Sequence, residues 1–440
     1  MKRFDNPILV TRPYLPDMEE FKRGVDEIWA NQWLTNNGPM LRKFHAELAK
    51  YLQVPETNMA LFTNGTLALE MGFKAMGLEG GEVITTPFTF VATSHALKRI
   101  GAKPVFADID PETLCLSPSA AEKLIKPGIT KAIVPVHVYG NVCDVEGFQS
   151  LADKYGVKII YDAAHAFGVT QASVSAPRGA AETEDAVETF PGRLAPAQTI
   201  AACGDMSMFS FHPTKLFHSC EGGLLVFKDN VNLHCTPTPS TYSSSLQQKL
   251  FDLRNFAIHS ETECVDVGTN AKMNELQALM GLCCLKRIDE LLEYRQKIYE
   301  AYASVLGVGE VGVGVGEVGV GVGVGGRCRC TKEENVSTVH LPLNSTPILL
   351  PWSANKAYVP VLFKDFETRE RVYAELKEKC NVFARRYFYP LLTDFAPYAY
   401  AKGTCPVAED VARRVLTLPT YYGLDLDDVK QIARNVLEMV

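Results

Sequence analysis

The sequence predicts an α/β protein, with a large unit on a mostly parallel sheet followed by a smaller α+β unit. Between about residues 58 and 227, short β-branched runs alternate with helical patterns. An amphipathic stretch then runs on from Lys272, and the end of the chain combines one apolar run with two further helical patterns. These three features place the division between the units at 289/290, giving 1–289 and 290–440.

In the first unit VITTP, PVFADID, AIVPVHVYG and KIIYDAA read as strands, and VATSHALKRIG and VEGFQSLADKYG as helices between them. Such near-continuous apolar runs suit strands covered by helices on both faces. NELQALMGLCCLKRIDELLEYRQKIYEAYASVL carries apolar residues at three- and four-residue spacing and predicts one long bridging helix. Beyond it YVPVLF predicts a strand, TRERVYAELKEKC a helix, and a closing helix starts from Asp425.

Two segments interrupt the pattern. Residues of about 171–199 are rich in Ala, Pro, Ser and acids and read as a surface loop. Residues of about 307–326 alternate Gly and Val, and lacking large side chains they would lose much backbone entropy on ordering, which predicts a disordered insertion. Alternating Gly, with Glu310 and Glu317, argues against a membrane span there.

With 440 residues, 47% of them hydrophobic, the chain can bury a large core. Its net charge of -7 argues against nucleic-acid binding, which needs clustered Lys and Arg. The twelve cysteines are scattered and read as reduced thiols. MKRFDNPILVTRPYLP has no apolar stretch of signal-peptide length, so a cytoplasmic location is expected, and the glycosylation-type triplets at Asn335 and Asn344 read as chance. No metal is expected.

In an open α/β sheet, ligands gather beyond the carboxyl ends of the strands. Asn64-Gly65-Thr66-Leu67 stands directly before a helical stretch, where backbone N–H groups and a Thr hydroxyl suit a phosphate, although a plain helix cap explains the same residues. Asp162 ends KIIYDAA, a costly place for a carboxylate without a partner, and His165 follows closely. MSMFSFHPTKLFHSCEGGLLVF delivers Ser210, His212 and Lys215 at a strand end ahead of Gly222-Gly223. Apolar neighbours on both sides of Lys215 favour a neutral amine, the form that attacks an aldehyde.

Taken in order, TNGTLAL, TTPFTFVATSHAL, GAKPVFADID, YDAAHAFG, SFHPTKLFHSCEGG, GTNAKMNELQALMGL, YFYPL and CPVAEDVARRVLTLP resemble the DegT/DnrJ/EryC1/StrS sugar aminotransferases. The resemblance implies a fold-type I pyridoxal-phosphate transferase, with a large three-layer α/β/α domain and a small C-terminal α+β domain. It implies that Lys215 holds pyridoxal 5'-phosphate as a Schiff base and moves protons, and that Asp162 pairs with the pyridinium nitrogen. His165 is then beside the ring, Phe90 stacks on it, and Thr66, the Leu67 backbone and Ser210 hold the phosphate. Asn270 matches a residue that reaches the same phosphate across a dimer interface, which implies a homodimer with shared sites.

Within the family, NQWLTNNGP, ITTPFTFVATSHA and VPVHVYGNVCDVE resemble members acting on dTDP-4-keto-6-deoxyglucose. That implies glutamate as amino donor and a nucleotide-linked keto-sugar as acceptor, with Asn36, Arg386 and Tyr387 as candidate substrate contacts. Two other readings stay open: a non-catalytic cofactor-binding homologue, and a keto-sugar dehydratase, whose members carry His where Lys215 stands. A structural protein built around the Gly-Val tract is disfavoured by the tract's shortness.

Overall fold

The computed structural model describes residues 1–169, 200–228, 245–308, 347–350 and 355–440. The expected loop at 171–199, most of the Gly-Val tract and the Asn335 and Asn344 triplets lie outside them.

A short strand β1 (Ile8–Leu9) opens the chain. The main sheet follows with β2 (Met59–Phe62), β3 (Glu82–Thr85), β4 (Lys103–Phe106), β5 (Thr130–Val134), β6 (Lys158–Asp162), β7 (Met206–Ser210) and β8 (Gly223–Phe227), in the order β2-β8-β7-β6-β5-β3-β4. Pairings from β7 through β4 are parallel, whereas β8 runs antiparallel to both β2 and β7.

Strand alternation makes three layers of it. Met59, Leu61, Ile159, Tyr161, Leu224 and Val226 enter one core with the helices Pro39–Leu52, Val145–Tyr155 and Glu275–Leu285. Their neighbours Ala60, Phe62, Ile160, Leu225 and Phe227 enter the opposite core with the helices Gly65–Ala75, Val91–Arg99 and Leu246–Leu253. Both faces are covered, which is why the strands lack polar alternation.

The stretch expected to be one bridging helix is two, Glu275–Leu285 and Ile288–Leu306. From Glu275 to Leu285 every residue except Leu276 is buried, so this helix has no solvent face and lies inside the core. The N–H groups of Lys286 and Arg287 both turn back towards earlier carbonyls, and the amphipathic stripe belongs to the second helix. Gly307 closes that helix through its N–H to the Ala303 carbonyl (3.0 Å), and Val308 bridges to Leu349, so the tract's first two residues are part of the fold.

After a short hairpin, β9 (Ile258–Ser260) with β10 (Glu263–Cys264), the C-terminal part forms a second sheet. Its strands are β11 (Ile348–Leu349), β12 (Val359–Leu362) and β14 (Val415–Leu418), all antiparallel. The helices Phe366–Cys380 and Leu426–Met439 fill its core, the latter capped by Asp425 as the sequence predicts. β1 pairs with β13 (Val382–Phe383), and Phe4 and Ile8 join this same core. The first residues thus pack with the last hundred, an association that a division by residue number does not express.

One glycine ties the two antiparallel strands to the loop above them. A Cβ on Gly223 would stand 2.4 Å from the Asn64 carbonyl oxygen, a backbone atom with little room to retreat. Gly223→Ala is expected to destabilise the protein by about 1–3 kcal/mol, read as a lowered melting temperature.

Candidate active site

Parity along the strands decides which side chains meet. Ile160, Met206 and Met208 point into the core beneath the helices Gly65–Ala75 and Val91–Arg99, so Asp162 and Ser210, two residues further along, lie at the rim of that same face. Asp162 pairs in register with Met208 on the neighbouring strand. Asp162 and Ser210 are each the last residue of their strand.

The helix Gly65–Ala75 starts at this rim, with Asn64 as its N-cap. Asn64 Oδ1 accepts the Leu67 N–H at 2.9 Å, so the Leu67 backbone donor expected for phosphate is committed to the cap. The N–H groups of Gly65 and Thr66 precede the first helical hydrogen bond and have no acceptor within the helix. A Cβ on Gly65 would meet Ser210 Cβ at 3.1 Å and Ser210 Oγ at 3.3 Å. The glycine therefore lets the Ser210 hydroxyl approach the helix start, making a small cradle of N–H and hydroxyl donors at the positive end of the helix dipole. Its chemistry fits a phosphate.

Asp162 is only 4% exposed. Its Oδ2 accepts the Thr93 hydroxyl at 2.7 Å and its Oδ1 the Ala164 N–H at 3.0 Å. Burial raises the carboxyl above its ordinary value, opposed by the Thr93 and Ala164 hydrogen bonds and by the nearby Lys215 charge. A carboxylate so placed is suited to a protonated ring nitrogen. His165 is buried, and burial together with the Lys215 and Arg385 charges holds its imidazole well below the ordinary range. It is therefore neutral, and because Nδ1 accepts the Tyr139 N–H at 3.1 Å, its proton is on Nε2.

Lys215 lies in the turn between β7 and β8, with its N–H on the His212 carbonyl at 2.9 Å. Its Nζ reaches the Tyr358 hydroxyl at 3.4 Å. Tyr358 stacks on Tyr387 with ring centres 5.6 Å apart, and His165 stacks on Phe388 at 5.9 Å. Burial pushes both Tyr358 and Tyr387 up to about 12, so their hydroxyls stay protonated at neutral pH. Phe90, which by itself reads as a core residue, is 50% exposed at the start of the helix Val91–Arg99. Its apolar face is left open at the rim.

Asn270 precedes Ala271, whose carbonyl accepts the Thr63 N–H at 2.8 Å just before the helix start. It is exposed and bridges to Asn255 beside the β9–β10 hairpin, where Phe256, Ile258 and Val267 are exposed as well. Asn36 is an exposed residue with φ 61° before the helix Pro39–Leu52. Arg386, a candidate substrate contact, is committed elsewhere: it pairs with Glu370 at 2.6 Å and lies over Tyr373. The arginine on the site is its neighbour Arg385, whose guanidinium is over the Tyr387 ring at 4.5 Å and whose charge acts on His165.

Sequence reasoning missed Thr93, Tyr358 and Arg385. Thr93 is one turn beyond Phe90, but its partner is 69 residues away, and nothing local to ATSHA signals it. Arg385 differs from Arg386 only in the direction its backbone sets, through the paired N–H to carbonyl hydrogen bonds between Arg385 and Thr417. Among the described residues no cluster of His, Cys, Asp and Glu could hold a metal ion.

Comparison with known proteins gives the chain's family. A dTDP-4-amino-4,6-dideoxy-D-glucose transaminase of Shigella dysenteriae is 36% identical over 439 residues, covering 99% of this chain and 100% of that protein. A protein of the same name from Escherichia coli is 32% identical, covering 98% and 99%. Among solved structures, DesI in the presence of its TDP-sugar product superposes with a TM-score of 0.75 at 28% identity, covering 100% of this chain and 94% of that one. Over residues 16–313 and 330–437, the chain belongs to the DegT/DnrJ/EryC1/StrS aminotransferase family.

Proposed function

We propose that this aminotransferase moves the amino group of glutamate onto the keto carbon of a nucleotide-linked sugar, with dTDP-4-keto-6-deoxyglucose as the first substrate to test. The observation that carries the reading is the convergence, at one rim of the sheet, of an amine (Lys215), a buried carboxylate (Asp162) and an anion cradle (Gly65, Thr66, Ser210). These match the aldehyde, ring nitrogen and phosphate of pyridoxal 5'-phosphate. The names and near-complete coverage of the Shigella and Escherichia relatives support the sugar class.

When bound, the cofactor supplies an aldehyde carbon that takes up the amino group and a ring that withdraws electrons from the reacting bonds. Lys215 would hold the cofactor, and its Nζ would carry a proton during the exchange. Asp162 accepts a hydrogen bond from the ring nitrogen and keeps it protonated. His165 would lie beside the ring, Phe90 would offer it an apolar face, and the Thr66 and Ser210 hydroxyls would hold the phosphate. Arg385 offers the charge for the donor's carboxylate.

The active unit in this reading is a homodimer in which Asn270 completes the partner's phosphate site. Support comes from the exposure of Asn270 and of the apolar Phe256, Ile258 and Val267 near it. The described cysteines are free thiols, in keeping with a reducing cytoplasm, and no helix among the described residues is long and apolar enough to cross a membrane.

Incubating the purified protein with glutamate and a panel of nucleotide keto-sugars, then identifying the product by mass spectrometry and NMR, tests the reading. An amino-sugar nucleotide is expected, and no amination of any panel member rejects it. Arg385→Ala is expected to raise KM for glutamate by ~10-fold with a smaller change in kcat, while Arg386→Ala leaves that KM unchanged. The reverse pattern rejects the assignment of Arg385.

A further inference from the structure

We propose that Thr93 is a positioning residue for the reaction: its hydroxyl holds the Asp162 carboxylate in the orientation that meets the cofactor's ring nitrogen, and Thr89 fixes Thr93 in turn. The inference rests on the cofactor reading above and deepens it.

Thr93 is fully buried and Thr89 nearly so. The Thr93 Oγ1 is 2.7 Å from Asp162 Oδ2 and 3.1 Å from Thr89 Oγ1. A hydroxyl has one proton, and here the carboxylate is the nearest and strongest acceptor, so Thr93 donates to Asp162. Thr89 must then donate to Thr93. The result is a directed relay, Thr89 to Thr93 to Asp162, across the interface between the helix Val91–Arg99 and the end of β6.

A threonine in a helix usually turns its hydroxyl back to a carbonyl of the preceding turn. That alternative exists here at the Phe90 carbonyl, but at 3.4 Å it is the longer contact. The side chain is therefore used for Asp162. The Ala164 N–H fixes Oδ1 while Thr93 fixes Oδ2, so the carboxylate plane is set from two sides and its remaining lone pairs are left for a ligand. Phe90 starts the same helical turn. One turn thus sets both the aromatic face offered to the ring and the acid offered to its nitrogen.

The test uses full-length protein freed of cofactor and titrated by fluorescence with pyridoxal phosphate and with an analogue whose ring nitrogen is replaced by C–H. Thr93→Val is expected to weaken binding of pyridoxal phosphate by ~10-fold or more, because an isosteric apolar group leaves the carboxylate unguided. The same variant should bind the analogue within about twofold of the wild type, since that ligand has no ring N–H for Asp162 to receive. Thr93→Ser, which keeps the hydroxyl, should restore pyridoxal phosphate binding to within about threefold.

Equal affinity of wild type and Thr93→Val for pyridoxal phosphate overturns the inference. So does an equal loss for both ligands, which marks a purely structural role, or a Thr93→Ser variant as weak as Thr93→Val. If Thr93→Val does not fold, Thr89→Val carries the same comparison with a smaller expected loss of ~3-fold, and no difference there overturns the relay. A wild-type protein that binds neither ligand rejects the cofactor reading itself, and the inference with it.

Discussion

Lys215→Ala is expected to stop turnover, with a rate at least ~10⁴-fold below wild type, the upper end of what a positioned acid–base group supplies. The loss is large because the lysine has two duties, attachment and proton transfer, and among the described residues the structure gives neither to another amine. Lys215 is the lysine whose charge acts on both Asp162 and His165. Lys272 is bonded to Asn255, and Lys356 lies over the Tyr299 ring. The variant should also lose the visible absorbance of lysine-bound cofactor while melting as the wild type does, since Lys215 is outside the hydrophobic cores. Full turnover in the purified variant would falsify the assignment.

Asp162→Asn separates activity from stability. Its rate is expected to fall by ~10²–10³-fold, because an amide neither attracts nor keeps a proton on the ring nitrogen. Stability of the cofactor-free protein should move differently. Burial raises the Asp162 carboxyl above its unfolded value, so the folded chain keeps a proton over a pH range in which the unfolded chain has released it. Stability therefore falls as pH rises through that range, starting near the unfolded value of about 3.9, and the deficit persists at pH 7. The amide removes it. The cofactor-free variant should melt at or above the wild-type temperature at pH 7, and the gap should close as the pH approaches 4. A lower melting point at pH 7, or an unchanged rate, contradicts the role given to this carboxylate.

Much of the fold was legible because the decisive signals are local. KIIYDAA, PVFADID and AIVPVHVYG are apolar runs of strand length, and they form β6, β4 and β5. Asp162, Ser210, Lys215 and Thr66 were legible as candidates for a related reason: the first two end their strands and the others lie a few residues beyond one, and chain direction alone puts such strand ends on one edge of a parallel sheet. The long helix after Lys272 was misread because periodicity reports a stripe. The mostly apolar ELQALMGLCCL has none, so a buried helix ran on into an amphipathic one without a visible seam.

By itself the sequence determined the class of fold and the family and named the candidate residues of the constellation, since these depend on residue type and on order along the chain. Only the tertiary structure decided which donors are free and which are spent. It gave the Leu67 N–H to Asn64, turned Arg386 to Glu370 and Arg385 to the site, and brought the Thr93 hydroxyl to Asp162 from 69 residues away. Those outcomes depend on the direction of single bonds, fixed by packing between distant segments, and no pattern within a window of sequence encodes them.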